Sequence, residues 1–187
     1  AIVEASGAPH QSIFLLDPVK MAASVSDLPD IASAEVRLIL PDRVVIHVRE
    51  KEGWAALRIG EEIFPLARDG TVLSQRGAGE PQVVLFSDDG PPISAGTRID
   101  PGFLLAAEQF QEGLPWVEEF AYDPDSGLSI HTPEGHTVLL GGPERTTQKL
   151  ALLEALRVEL AVRAGGPFII DLRYRRPFLS HSAGDGR

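Results

Sequence analysis

Hydrophobic positions along this chain recur with two periods. Asp17-Pro18 puts a capping carboxylate before a residue whose fixed φ suits a first helical turn. Val19, Ala22, Val25 and Leu28 follow at helical spacing, which predicts a helix ended by Leu28-Pro29. Asp100-Pro101 repeats the signal, with Phe103, Ala107, Phe110 and Leu114 on one side and Gly113 and Pro115 closing the segment. A longer helix is predicted from Pro143 to Ala164. Leu150, Leu153, Leu156 and Leu160 form its stripe, and Gly165-Gly166-Pro167 stops it.

Between these segments the period drops to two. Val36, Leu38 and Leu40 alternate with Arg37 and Ile39, Pro41-Asp42-Arg43 turns the chain, and Val44, Ile46 and Val48 alternate back. This is a hairpin with one buried face. Further strands are predicted over Trp54–Ile59, Ile63–Ala67, Thr71–Ser74 and Val83–Ser87, with turns at Gly60-Glu61 and Arg68-Asp69-Gly70 and a loop over Gln75–Gln82. A three-strand meander follows at Val117–Tyr122, Leu128–Thr132 and His136–Leu140, turning at Asp123–Gly127 and Pro133–Gly135. Phe168–Tyr174 and Phe178–Ser180 read as strands after the long helix, and Ser182–Arg187 as a disordered tail. The pattern is α+β: a small helix-plus-hairpin unit, then a larger, mostly antiparallel sheet carrying two helices. There is no internal repeat.

Composition narrows the function. With 17 Lys+Arg against 27 Asp+Glu, the net charge of −10 argues against a nucleic-acid surface, which needs a net basic face. The absence of Cys excludes disulfides, thiolate metal sites and Cys nucleophiles. The longest apolar runs, such as Val83–Phe86, fall far short of the roughly 20 residues of a membrane span. The chain starts without Met and without a signal-peptide pattern, so it reads as a piece of a longer protein whose upstream part carries an anchor or a targeting segment.

Candidate chemistry is sparse. No nucleophile elbow, P-loop, dinucleotide fingerprint or H-E-x-x-H motif occurs. His131 and His136 flank a turn, but a metal site needs three or four convergent ligands, so both read as solvated hairpin residues, with Glu134 at the tip facing solvent. His47 reads as a surface histidine. Asp123, Asp125 and Gly127 echo the opening of a calcium loop without its later ligands and suit a β-turn better. Gly141-Gly142 before the long helix reads as a tight turn rather than a phosphate cradle. Glu50, Glu52, Glu61 and Glu62 form a solvated acidic rim, with nothing to raise their pKa values. No cofactor or metal is expected. One stretch differs: Arg173, Tyr174, Arg175, Arg176, Phe178 and Leu179 combine cations and aromatics near a late strand. Such residues are enriched in binding hot spots, and a late strand can form a sheet edge open to strand addition. The competing reading is a strand end rimmed with charge against aggregation.

A run of motifs resembles the FtsQ/DivIB cell-division proteins. Ser12-Ile13-Phe14-Leu15-Leu16-Asp17-Pro18, Leu28-Pro29, Ala34-Glu35-Val36 to Leu40-Pro41-Asp42, Val44–Val48 and Glu50 resemble their POTRA domain. Trp54 with Asp69-Gly70-Thr71-Val72-Leu73 resembles the stretch that joins POTRA to the β domain. Gly135–Gly141, Lys149-Leu150 and Ile170-Asp171-Leu172-Arg173-Tyr174 resemble the β domain itself. The likeness covers residues 12 to 174 and rests on motif order and spacing more than on any single motif. Three features depart from the pattern: Gly53 stands where Pro is common, Arg175-Arg176-Pro177 replaces a Gly-containing turn, and Ala1–Ser6 resembles the end of a first helix whose preceding strand is missing.

The resemblance implies a POTRA-type domain over 1–52 and a β domain over 53–181. It implies a bitopic membrane protein with this part on the extracytoplasmic side at the septum, anchored by an N-terminal segment absent here. It further implies a non-enzymatic divisome scaffold that binds FtsB/FtsL-type (DivIC-type) septal coiled-coil proteins through the C-terminal sheet edge, at Arg173, Tyr174, Arg175, Arg176, Phe178 and Leu179. An exposed POTRA edge invites pairing with a second copy. The alternatives are a POTRA docking module for outer-membrane protein assembly or secretion, and an enzyme or ligand binder built on the acidic loops or the histidine pair.

Overall fold

The computed structural model describes residues 2–7, 12–74, 80–88, 93–161 and 167–181. The expected tail at 182–187, most of the loop at 75–82 and the end of the long helix at 162–164 lie outside the described residues.

The first unit holds α1 (Ile2–Ala5), a 3-10 turn (Ile13–Leu15), α2 (Pro18–Ser26), β1 (Ile31–Ile39) and β2 (Arg43–Glu50). Asp17 caps α2 as expected, its carboxylate accepting the N–H groups of Val19 and Lys20. The buried face of α2 is rotated from the expected stripe. Met21 and Val25 are buried, while Val19 is 76% exposed. The four-residue step from Met21 to Val25 follows the 3.6-residue period better than a run of threes, and the flexible Met fills space that a branched Val cannot reach. The helix packs on β1, which pairs antiparallel with β2 in a sheet of two strands. Val36 opposite Ile46 and Leu38 opposite Val44 share the inner face, as the alternation predicts.

The second unit is an eight-stranded sheet in the order β10-β9-β8-β7-β6-β5-β3-β4. Its strands are β3 (Ala55–Ile59), β4 (Glu62–Leu66), β5 (Val83–Ser87), β6 (Phe120–Asp123), β7 (Gly127–His131), β8 (Thr137–Gly141), β9 (Phe168–Asp171) and β10 (Phe178–His181). Four of the seven pairings are antiparallel. The pairs β3/β5, β5/β6 and β8/β9 are parallel. Parallel neighbours need a crossover rather than a tight turn, and two of these crossovers carry the helices: α3 (Pro101–Gly113) between β5 and β6, and α4 (Thr146–Ala161) between β8 and β9. The two helices touch each other, closely enough that a side chain at Gly113 would sit 2.9 Å from Leu150. They therefore share one face of the sheet. Leu57, Leu85, Phe120, Leu128, Val138 and Ile170 line that face, and Leu104, Phe110 and Leu153 cover it.

The expected strand at Thr71–Ser74 is replaced by isolated bridges from Leu66 to Val72 and from Thr71 to Arg98. Pro65 accepts the Leu73 N–H at 2.8 Å but has no N–H to return, so the ladder stops there.

A polar joint connects the two units. The Ser74 N–H donates to Asp30 Oδ1 at 2.7 Å, and the Ser74 hydroxyl bonds the same carboxylate. Lys51 Nζ donates to Asp69 Oδ2 at 2.8 Å and to Thr71 Oγ1 at 2.9 Å. Burial pushes the Asp69 carboxyl up, but hydrogen bonds from Lys51 and Thr71 outweigh it and hold the pKa at about 2.

Phe110→Ala should cost about 3–5 kcal/mol in urea unfolding, because it opens a cavity between α3 and the sheet. Val19→Ala should change stability by less than about 0.5 kcal/mol, because the side chain covers nothing. Equal costs would show that the helix faces are misassigned.

Candidate partner-binding edge

At one rim of the large sheet, β10 pairs only with β9 among the described strands. The facing pairs are Phe178 with Asp171, Leu179 with Ile170, Ser180 with Ile169 and His181 with Phe168. Leu179 shares the face of Ile170 and packs against the core. Phe178 points the other way and is 65% exposed. The six residues singled out from sequence thus divide into one anchor, Leu179, and five that face solvent. The opposite rim is covered at the end of β4, where Leu73 and Val72 meet Pro65 and Leu66.

Arg173, Tyr174, Arg175 and Arg176 lie on the bend between β9 and β10, not on a strand reaching Tyr174 as expected. The cause is local. Asp171 Oδ1 accepts the Arg173 backbone N–H at 3.0 Å, which turns the chain at a point where a ladder would continue. Arg173 Nε and Nη2 then fork onto the same carboxylate at 3.0 and 2.7 Å. The Arg173 hydrogen bond holds the buried Asp171 carboxyl below its usual range against burial, and raises the guanidinium pKa in turn. Tyr174 is 63% exposed, its ring 5.8 Å from the Arg173 guanidinium.

Two further cations stand behind this bend: Lys149, part of the Lys149-Leu150 motif, and Arg145, which the sequence did not single out. Lys149 is only 3% exposed, and its Nζ donates to the Gly142 carbonyl at 2.7 Å, with burial pushing its pKa down. Arg145 Nη2 donates to the Arg173 carbonyl at 2.8 Å. The Lys149 bond stays within the turn before α4, whereas the Arg145 bond depends on where the α4 crossover lands, which no local pattern encodes. Gly141 has φ +72°, and an added Cβ there would meet Arg173 Cγ at 2.6 Å, so the Gly141-Gly142 turn is shaped by a side chain lying across it.

The other candidate residues have structural roles. His136 is buried, contrary to its reading as a solvated residue. It follows the turn that lays β8 beside β7, and its Nδ1 accepts the N–H of Phe168, the first residue of β9, at 3.1 Å. His131 faces Thr137 instead. Glu134 does not point freely to solvent: Arg157 of α4 donates to it at 2.6 Å and holds its pKa at about 2, while stacking 4.6 Å from Trp116. Asp123 accepts the N–H groups of Asp125 and Ser126, as a turn residue does. Glu50, Glu52, Glu61 and Glu62 are exposed. Among the described residues no group of three or more His, Asp or Glu is arranged to hold a metal ion. An open hollow of about 200 Å³ lies beside Phe86, Asp88, Tyr122 and Ser129, away from the β10 edge.

Residues 1–51 match the family described as POTRA domain, FtsQ-type. The chain is 28% identical over 183 residues, 94% of its length, to a cell division protein FtsQ of Chloroflexus aggregans. The chain is similar to FtsQ proteins along most of its length, and its first 51 residues match an FtsQ-type POTRA domain. FtsQ proteins of Chloroflexus aurantiacus and Syntrophotalea carbinolica are each 26% identical to it, over 90% and 96% of this chain. This chain spans 65% and 63% of the length of the two Chloroflexus proteins. Among its described residues no helix is long and apolar enough to cross a membrane.

The Asp171 carboxylate contributes stability at pH values above the unfolded pKa near 3.9, and that contribution is lost as pH falls below it. Asp171→Asn should therefore cost about 1–3 kcal/mol at pH 7 and progressively less toward pH 3, measured by urea unfolding. A cost independent of pH would sever the Arg173 pair from stability.

Proposed function

We propose that this chain is the extracytoplasmic part of a non-enzymatic division scaffold. In this reading an upstream segment tethers it to the cell membrane at the septum, and its β10 edge receives a septal partner of the FtsB/FtsL (DivIC) type. The observation that carries the proposal is the asymmetry of the large sheet. One rim is partly covered by the chain itself, at Pro65 and Leu66, and the other presents β10 with Phe178 and Tyr174 exposed beside it. Strand addition to such a rim supplies main-chain hydrogen bonds, and the exposed aromatics supply selectivity. Arg175 and Arg176 add a local positive rim on a protein of net charge −10, which favours an acidic approach from the partner side. The likeness to proteins named cell division protein FtsQ, running along both units, supports the same reading.

The test is calorimetric titration with the extracytoplasmic segment of the FtsB- or DivIC-type protein of the same organism. Tyr174→Ala and Phe178→Asp should each weaken binding at least about tenfold, as expected for exposed aromatic anchors. Both should leave the melting temperature nearly unchanged. Leu179→Ala should lower the melting temperature as well, because that side chain supports the core. Wild-type affinity in both surface variants would place the contact elsewhere.

A further inference from the structure

We propose that Arg145 is a positioning residue for the docking edge, holding the Arg173–Arg176 bend in the shape that a partner strand meets. The inference rests on the β10 docking reading and names a residue outside the predicted contact surface.

Arg145 breaks two local preferences at once. Its φ is 60°, in the left-handed region that residues with a Cβ seldom occupy, and it is the sole described non-glycine residue there. Its carbonyl accepts the Lys149 N–H at 2.9 Å, which puts it at the N-cap of α4, a position that favours Ser, Thr, Asn or Asp. Neither departure helps the helix. Strain of this kind persists where surrounding contacts over-determine it, and it concentrates at functional sites.

What the conformation achieves is a reach of 28 residues in sequence, from the start of α4 to the Arg173 carbonyl at 2.8 Å. That carbonyl lies one residue past Leu172, whose N–H makes a ladder-like bond to Leu139. Around the same point, Asp171 grips the Arg173 side chain, that side chain lies over Gly141, and Lys149 ties down the Gly142 carbonyl. The bend is thus held from its side chain by Asp171 and from its backbone by Arg145. A loop already fixed in its bound shape spares the ordering cost that binding would otherwise carry. Without Arg145 the fold keeps its core, while the route from β9 to β10 loses its backbone brace.

Arg145→Gly isolates this role, because glycine accepts the positive φ and lacks the guanidinium. The expected result has three parts. The melting temperature is unchanged or higher. Amide exchange at Leu172 and Arg173, whose N–H groups bond Leu139 and Asp171, speeds by about tenfold or more, reporting local opening. The affinity for the FtsB- or DivIC-type segment falls about tenfold, equally at low salt and at about 0.5 M salt, where exposed charge effects are screened. Arg145→Met keeps the apolar stem without the donor to the Arg173 carbonyl and should bind as weakly as the glycine variant.

Unchanged exchange rates in Arg145→Gly would overturn the brace. So would full affinity in Arg145→Met, which lacks the donor, or a loss confined to low salt, which makes Arg145 a simple charge. A large drop in melting temperature with faster exchange throughout would make it a structural residue. If the wild-type protein fails to bind the segment, the docking reading falls and takes the positioning role with it. The exchange rates then still decide whether Arg145 braces the bend.

Discussion

Burial on a single face of a mixed sheet governs this molecule. Leu57, Leu85, Phe120, Leu128, Val138 and Ile170 present one apolar surface from six strands, and α3 and α4 close it together. Each such side chain is worth about 1.5–3 kcal/mol when removed from water. Both helices can reach the same face only if their connections run as crossovers, which forces β5 beside β6 and β8 beside β9 in parallel. The edge follows from that constraint. Once α4 has delivered β9 next to β8, the short return through the bend leaves β10 outermost.

Much of this layout is legible in sequence, for physical reasons that differ by element. Asp17-Pro18 and Asp100-Pro101 mark helix starts because capping and ring geometry act within three residues. The β1/β2 and β7/β8 hairpins follow from alternation interrupted by turn residues. Non-local features are not written that way. The parallel neighbours, the false strand at Thr71–Ser74 and the burial of His136 all depend on which distant segment arrives alongside. Val19 shows a smaller failure: three-residue spacing fits a helix loosely, and Met21 takes the place that hydrophobicity alone assigns to Val19.

The candidate edge is partly legible in the same sense. Arg173–Arg176 with Phe178 stands out as a cationic, aromatic stretch in an acidic chain. Its conformation depends on Asp171 below it, and Asp171 looks in sequence like any strand carboxylate. Lys149 stands out only through the Lys149-Leu150 motif, and Arg145 carries no signal at all, since a cation near a helix start usually reads as solvated surface. Their partners are backbone carbonyls, and carbonyls are invisible to pattern.

The order of strands has a geometric consequence. The small unit is fastened near β4 through Asp30–Ser74 and Lys51–Asp69, while β10 is the last strand at the far rim. Seven inter-strand spacings of about 4.8 Å separate the two rims, about 34 Å along the sheet. The sheet therefore acts as a ruler. The joint to the small unit and the free β10 rim are thus held at opposite ends of one sheet, at a separation that its core fixes.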